Sequence, residues 1–297
     1  MPSEKRLKRM VQGAELTAQW LDDLGDVLEQ GERPDIGAIT DFARTLVDYQ
    51  LPGIARHARR LAESLLSNLP IEDSLVPMRL LSKAMQKRDQ LSEGTRFELD
   101  AAVGVPFKTA DLPPDLQESG SWSVLGQQLA EEDRLKVIKT YVFNQDSGTI
   151  GLNLAYFPPK TKVETPFRTG TAFHGTGSFY PGIRKSRVAL TPESPSVFQL
   201  KSGITIEQMI SEFTEKLAQI PWLTEIPILL ESASLARGDE RLGLMDSTGA
   251  VPISDDAAGH RMLAITGNQP LPVFGIWDGS TFELVATGTS KDWRSIL

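Results

Sequence analysis

The sequence predicts an α+β protein: an N-terminal α-helical bundle followed by a mostly antiparallel β domain with one inserted helix. Three observations predict it. Apolar residues recur at helical spacing through roughly the first hundred residues. A stretch from Gly104 to Gly120 containing Pro106, Pro113 and Pro114 then interrupts that period. From Ser121 onward the pattern changes to alternating runs rich in β-branched and aromatic residues, closed by turn residues. The division that follows is a helical domain over 1–103, a linker over 104–120, and a mixed β domain over 121–297 with a helix near 205–219. Limited proteolysis is expected to cut first in the linker.

Each element has its own warrant. Leu7, Met10, Ala14, Leu21, Leu24 and Leu28 line one face of a first helix from about Glu4 to Glu29, which Gly31 to Pro34 ends. Ile36, Ile39, Phe42, Ala43 and Leu46 face inward from a second helix reaching Tyr49. Beyond Pro52-Gly53, Ile54, Ala58, Leu61, Leu65 and Leu66 share a side of a third. A fourth helix covers about Leu75 to Gln90 and a fifth Glu93 to Ala102, and short connections favour antiparallel neighbours. In the second half, Leu135–Asn144 and Thr149–Phe157 form a hairpin around Asp146-Ser147-Gly148. Thr171–Tyr180, Ser186–Leu190 and Ile226–Ser232 read as further strands. Thr205 with Gln208 three residues on is a capping-box signature, with Ile206, Met209, Ile210, Phe213 and Leu217 on the helix face behind it. The tail reads as short strands joined by Asp246–Gly249, Gly267–Pro270 and Asp278-Gly279, a meander or barrel-like sheet.

Composition excludes several kinds of function. The 297 residues contain no cysteine and three histidines, His57, His174 and His260, far apart in the chain. That leaves no thiol nucleophile, no disulfide and no Cys/His zinc cluster. The net charge of −8 opposes phosphate backbones unless a local basic patch intervenes. No segment has the roughly 18–20 apolar residues that span a bilayer, and the first residues lack an apolar signal core, so the expected compartment is the cytoplasm. Lys5, Arg6, Lys8 and Arg9 open an amphipathic helix whose acidic residues (Glu15, Asp22, Asp23) are those a transit peptide avoids.

Motifs tested for chemistry give little. The glycine-dense run from Gly170 to Gly182 lacks the Lys-Ser/Thr placement of a phosphate loop. Asp246-Ser247-Thr248-Gly249 has no second copy to share a proton with, and reads as a hairpin turn. Glu131-Glu132-Asp133 and Asp255-Asp256 are acidic turns, with a divalent cation as the alternative to solvation. His174 has no serine motif beside it, and reads as a side chain on a sheet face. Arg56, Arg59 and Arg60, around His57, form a basic turn that could meet phosphate or an acidic partner. Trp122, Tyr180, Trp222 and Trp277 each adjoin a turn or a short strand, and at least one is expected to be exposed on the β half as a partner contact.

Several blocks read together are more distinctive. They are AQWLDDL (Ala18–Leu24), DYQLPGIARHARRLAE (Asp48–Glu63), WSVLGQQLAEEDRLKVIKTYVF (Trp122–Phe143), GLNLAYF (Gly151–Phe157), FYPGIRKSRVAL (Phe179–Leu190), IPWLTEIPILLE (Ile220–Glu231) and FGIWDG (Phe274–Gly279). In this order they resemble the region that follows the zinc finger in bacterial SWIM zinc-finger family proteins. The family's Cys-x-Cys…Cys-x-His finger cannot exist in a chain without cysteine, so zinc and the finger's nucleic-acid role are not carried over. The resemblance implies an accessory role beside a MoxR-type AAA+ ATPase or a von Willebrand factor A protein. The expected function is a non-enzymatic adaptor without cofactor or membrane span. A nucleic-acid-associated module using the Arg56/Arg59/Arg60 face is the alternative.

Overall fold

The first helices begin and end where side chains satisfy orphan backbone groups. In the computed structural model, which describes residues 2–132, 135–201, 203–238 and 241–297, Ser3 Oγ accepts the Arg6 amide at the start of α1 (Glu4–Glu29). Asp35 caps α2 (Ile36–Asp48), and Pro52 occupies the first turn of α3 (Pro52–Ser67), where its missing N–H costs nothing. Asn68 turns the chain out of α3 in the left-handed region. After α4 (Glu72–Gln86) and a 3-10 turn at Arg88–Gln90, Ser92 caps α5 (Glu93–Val103). Gly104, at φ 93°, lets the Val105 amide return to the Asp100 carbonyl at 2.8 Å.

The chain divides into two compact units, Met1–Asp111 with Pro181–Ile183 and Gln219–Trp222, and the remainder from Leu112. In the helical unit Met10, Ala14, Leu21, Phe42, Leu46, Ile54, Ala58, Met78 and Leu99 form one buried core. Trp20 stacks on Phe42 with ring centroids 4.3 Å apart. The fourth helix starts at Glu72 and ends at Gln86, and the residues up to Gln90 continue it as a tighter turn. Gly53 faces the end of α5 so closely that an added Cβ would overlap the Ala102 carbonyl oxygen. Gly53→Ala is therefore expected to force α3 and α5 apart and to cost about 1–3 kcal/mol. Urea unfolding followed by helical circular dichroism measures it.

The second unit is two antiparallel sheets. β1 (Gln117–Glu132), β2 (Leu135–Asn144), β3 (Ile150–Phe157), β4 (Ala172–Phe179) and β5 (Val188–Ser196) form the first, in order β3-β2-β1-β4-β5. Leu152 bridges to Arg187, bringing the two edges of that sheet toward each other. The residues from Gly104 to Gly120 carry two 3-10 turns, and the last four already belong to β1. After α6 (Ile206–Gln219), the strands β6 (Ile226–Arg237), β7 (Leu242–Met245), β8 (Ala250–Pro252), β9 (Leu271–Trp277), β10 (Phe282–Thr289) and β11 (Asp292–Ser295) form the second sheet, in order β11-β10-β9-β6-β7-β8. The two faces of the first sheet carry separate buried clusters. Leu125, Tyr141 and Phe143 pack with Leu229, Phe274 and Val285 of the second sheet, while Trp122, Val124, Val142, Phe173 and Phe179 form a cluster on the opposite face.

Two expectations about this unit are corrected. A second helix, α7 (Asp256–Thr266), stands where short strands are expected. Asp255 caps it through the Ala257 and Ala258 amides, and Gly267 ends it at φ 59°. Gly259 hides its apolar face, because packing against Ile253 and Leu242 leaves no room there for a larger side chain. Strand β5 also runs on through Pro192 and Pro195. It lies at an edge of the strand order, where a proline's missing donor breaks no ladder.

Candidate interaction surface

The outward stripe of α3 carries the basic turn. Arg56, Arg59, Glu63 and Leu66 follow one another at three- and four-residue steps, with Arg60 four residues after Arg56, so they lie toward one side of the helix. Arg60 is exposed, whereas Arg56 and Arg59 are half-buried and engaged in interactions. His57 lies between them. Burial, then the charges of Arg60 and Arg56, lower its pKa from 6.5 to about 4, so the ring is neutral at pH 7. Burial is the larger cause, and the two guanidinium charges add to it.

At its C-terminal end the stripe turns apolar. Leu66 is expected to face the core but is 63% exposed, with Leu69 at 60% and Val76 at 53% close by in sequence. The inward positions are taken by Leu61 and Ala62, both buried, and by half-buried Leu65, so the next residue rotates into solvent. The Leu65 carbonyl, one of the helix's orphan acceptors, takes a hydrogen bond from Arg33 at 3.0 Å. That bond ties the turn to the preceding helices and holds this corner in place.

The aromatic candidates sit differently from the expectation that one is exposed on the β half. Trp122 is fully buried, donating from Nε1 to the Gly175 carbonyl at 3.3 Å. Trp277 is buried as well. Tyr180 is half-buried under the Arg187 guanidinium, 4.4 Å from its ring centroid. Trp222 is half-buried and packs against the helical core. Each has an apolar or cationic neighbour to cover it, so none offers a free ring. The exposed large apolar side chains are mostly aliphatic, including Ile210 and Leu217, which the helical pattern places inward on α6; the aromatic among them is Tyr156 on β3, 47% exposed, outside the four candidates.

The polar motifs serve the backbone. Asp246 Oδ2 accepts the Ile206 amide at 2.7 Å, and Oδ1 accepts Thr248 N, Thr248 Oγ1 and Gly249 N. The carboxylate thus closes the β7–β8 turn and caps α6, beside the Thr205–Gln208 capping box. Burial pushes its pKa up, but the donors, Ile206 and Thr248 first, outweigh that and hold it below the ordinary 3.8. A carboxylate with a depressed folded pKa stabilises above its unfolded value and loses that contribution as pH falls through the folded one. Asp246→Ala is expected to cost about 0.5–2 kcal/mol at neutral pH, the scale of a lost cap. The difference between wild type and variant should shrink below the unfolded value and close only below the folded one, as thermal melts across acidic pH would show.

Asp255 and Asp256 likewise accept backbone amides, from Ala257, Ala258 and Leu242. The acidic turn at Glu131–Asp133 falls partly outside the described residues. His174 is exposed on β4, in register with Ser121 and Ser194. The glycines around it serve packing: a Cβ on Gly175 would overlap the Thr191 carbonyl, and one on Gly177 would lie 2.5 Å from the Trp122 ring. Among the described residues no group of His, Asp or Glu is arranged to hold a metal ion, and no helix is long and apolar enough to cross a membrane.

Residues 5–103 match the family model of the SWIM-associated four-helix bundle domain. The match lies within the helical unit, which is similar to that domain, in a chain that has no cysteine. No curated protein and no solved structure matches the chain.

Proposed function

We propose that the chain is a non-enzymatic protein-interaction component, an adaptor whose helical unit presents the α3–α4 corner to a partner. The observation that carries this is the exposure of three aliphatic side chains, Leu66, Leu69 and Val76, within eleven residues around the α3–α4 turn. Exposed apolar side chains beside charged ones are what a partner's apolar surface can cover. The SWIM-associated domain supports an accessory role, and the family resemblance points to a MoxR-type AAA+ ATPase or a von Willebrand factor A protein as the partner class. Leu66→Asp with Leu69→Asp is expected to leave the melting temperature within a few degrees, because neither side chain is buried, and to lower affinity for the captured partner at least about tenfold. Unchanged affinity in a folded double variant would remove this corner from the reading.

One observation favours a second reading. The charges of Arg60 and Arg56, which add to burial in lowering the His57 pKa, stand with Arg59 on one helix where a phosphate would meet them. On that reading, reversing those three charges abolishes a salt-sensitive mobility shift of DNA or RNA. A wild type that binds neither at low salt sinks it.

A further inference from the structure

Strand β1 outruns its neighbour. β4 pairs only with Gln117–Ser123, and the last backbone bonds on that side join Val124 to Gly170 and Thr171. Past the bulge at Val124–Gly126, β1 continues to Glu132 paired with β2 alone. Trp293 Nε1 takes up the Leu125 carbonyl at 2.7 Å. Beyond it, among the described residues, no backbone group meets β1 on the side away from β2. An antiparallel strand points its N–H and C=O groups alternately to either side, so this stretch leaves donors and acceptors facing outward.

A groove of about 420 Å³ follows that stretch and is lined by Gln127, Gln128, Leu129 and Ala130. Successive strand residues point to opposite faces, so four in a row line one groove only when it lies along the edge. The two faces differ. Gln128 belongs to the face of its cross-strand partner Lys139 and donates to Glu283 at 2.7 Å, while Tyr141 Oη donates to Gln128 at 3.0 Å. Lys139 stands 3.7 Å from Glu225, so two carboxylates face one ammonium at the groove. The other face carries Leu129, 65% exposed.

We infer that this edge of β1 takes an extended segment of a partner protein as an added strand, with alternate basic and apolar side chains. The basic positions would face Glu283 and Glu225, and the apolar ones Leu129. The period of two matches the two unlike faces, and main-chain bonds supply affinity as in other strand additions. Two copies of this chain meeting edge to edge would bring acidic grooves together, which disfavours self-pairing. The inference rests on the protein-interaction reading and gives it a second contact, separate from the α3–α4 corner.

Three capped heptapeptides test it on the full chain: alternating Lys and Val, alternating Glu and Val, and the Lys/Val sequence with every backbone amide N-methylated. The Lys/Val peptide is expected to bind by fluorescence anisotropy and to slow amide exchange at residues 126–131. The other two should bind at least about tenfold more weakly, the scale of one or two net hydrogen bonds. Leu129→Lys, at an exposed position, should repel the Lys/Val peptide without changing the melting temperature. Equal binding of the Lys and Glu peptides, indifference to N-methylation, or no protection at 126–131 overturns the inference. So does a dimer whose formation protects those same residues. If Leu129→Lys loses the peptide but captures the full-length partner undiminished, the edge is excluded and the protein-interaction reading stands.

Discussion

Replacing Asp100 with alanine is expected to destabilise the helical unit by about 3–5 kcal/mol. Asp100, on α5, and Arg88, in the turn after α4, are both buried, with side-chain exposures of 10% and 8%. The guanidinium donates from Nε to Oδ1 at 2.8 Å and from Nη2 to Oδ2 at 2.7 Å. That fork-to-fork geometry fixes the α4–α5 connection, and hydrogen bonding to Asp100 raises the Arg88 pKa above its ordinary value. Removing the acid leaves a buried cation without its counter-ion, and most of the cost is that orphan charge. The double replacement Arg88→Met with Asp100→Leu should therefore recover most of the loss. Urea midpoints of the single and double variants check this, and equal destabilisation by both would mean the pair acts through shape alone.

Trp122→Ala is the second large effect, about 3–5 kcal/mol. The ring is fully buried in the cluster enclosed by the first sheet's own strands, tilted against Phe179 at 6.1 Å between centroids. Gly177 and Val188 close over it, since any side chain at Gly177 would strike its edge. Neighbours held by strand ladders on both sides have little freedom to collapse into the cavity left behind. Loss of near-ultraviolet ellipticity with retained strand signal, and a lower urea midpoint, would show it. A variant as stable as wild type would place the ring outside the core.

The bundle was legible because its code is local. Met10, Ala14, Leu21 and Leu24 repeat at the period of the helix they form, and all four are buried. The capping box at Thr205 and Gln208 forms as its spacing says. What depends on distant partners was not legible. Arg88 and Asp100 are two ordinary charges until the turn between them brings them face to face. Leu66 fits the apolar stripe of α3 by spacing but is 63% exposed, and periodicity cannot count neighbours. The helix at Asp256 was hidden by Gly259, a poor helix former retained where Leu242 and Ile253 come close. Its signals were present in Asp255 as cap and Gly267 as terminator. The aromatics were misjudged for a related reason. Standing beside a turn in sequence says nothing about whether a sheet folds over the ring, and Trp122 shows the extreme case. The β1 edge could not be read at all, because a missing neighbour leaves no mark in the residues that lack it.

The claim that the chain acts by binding another protein is tested most directly by affinity capture of the tagged full chain from its native cells, with and without nuclease, followed by mass spectrometry. The account predicts a stoichiometric protein partner, an AAA+ ATPase or a von Willebrand A protein, that survives nuclease and is lost with the Leu66→Asp, Leu69→Asp variant. Recovery that disappears with nuclease would contradict it, whereas recovery that persists undiminished in that variant would move the contact away from the α3–α4 corner.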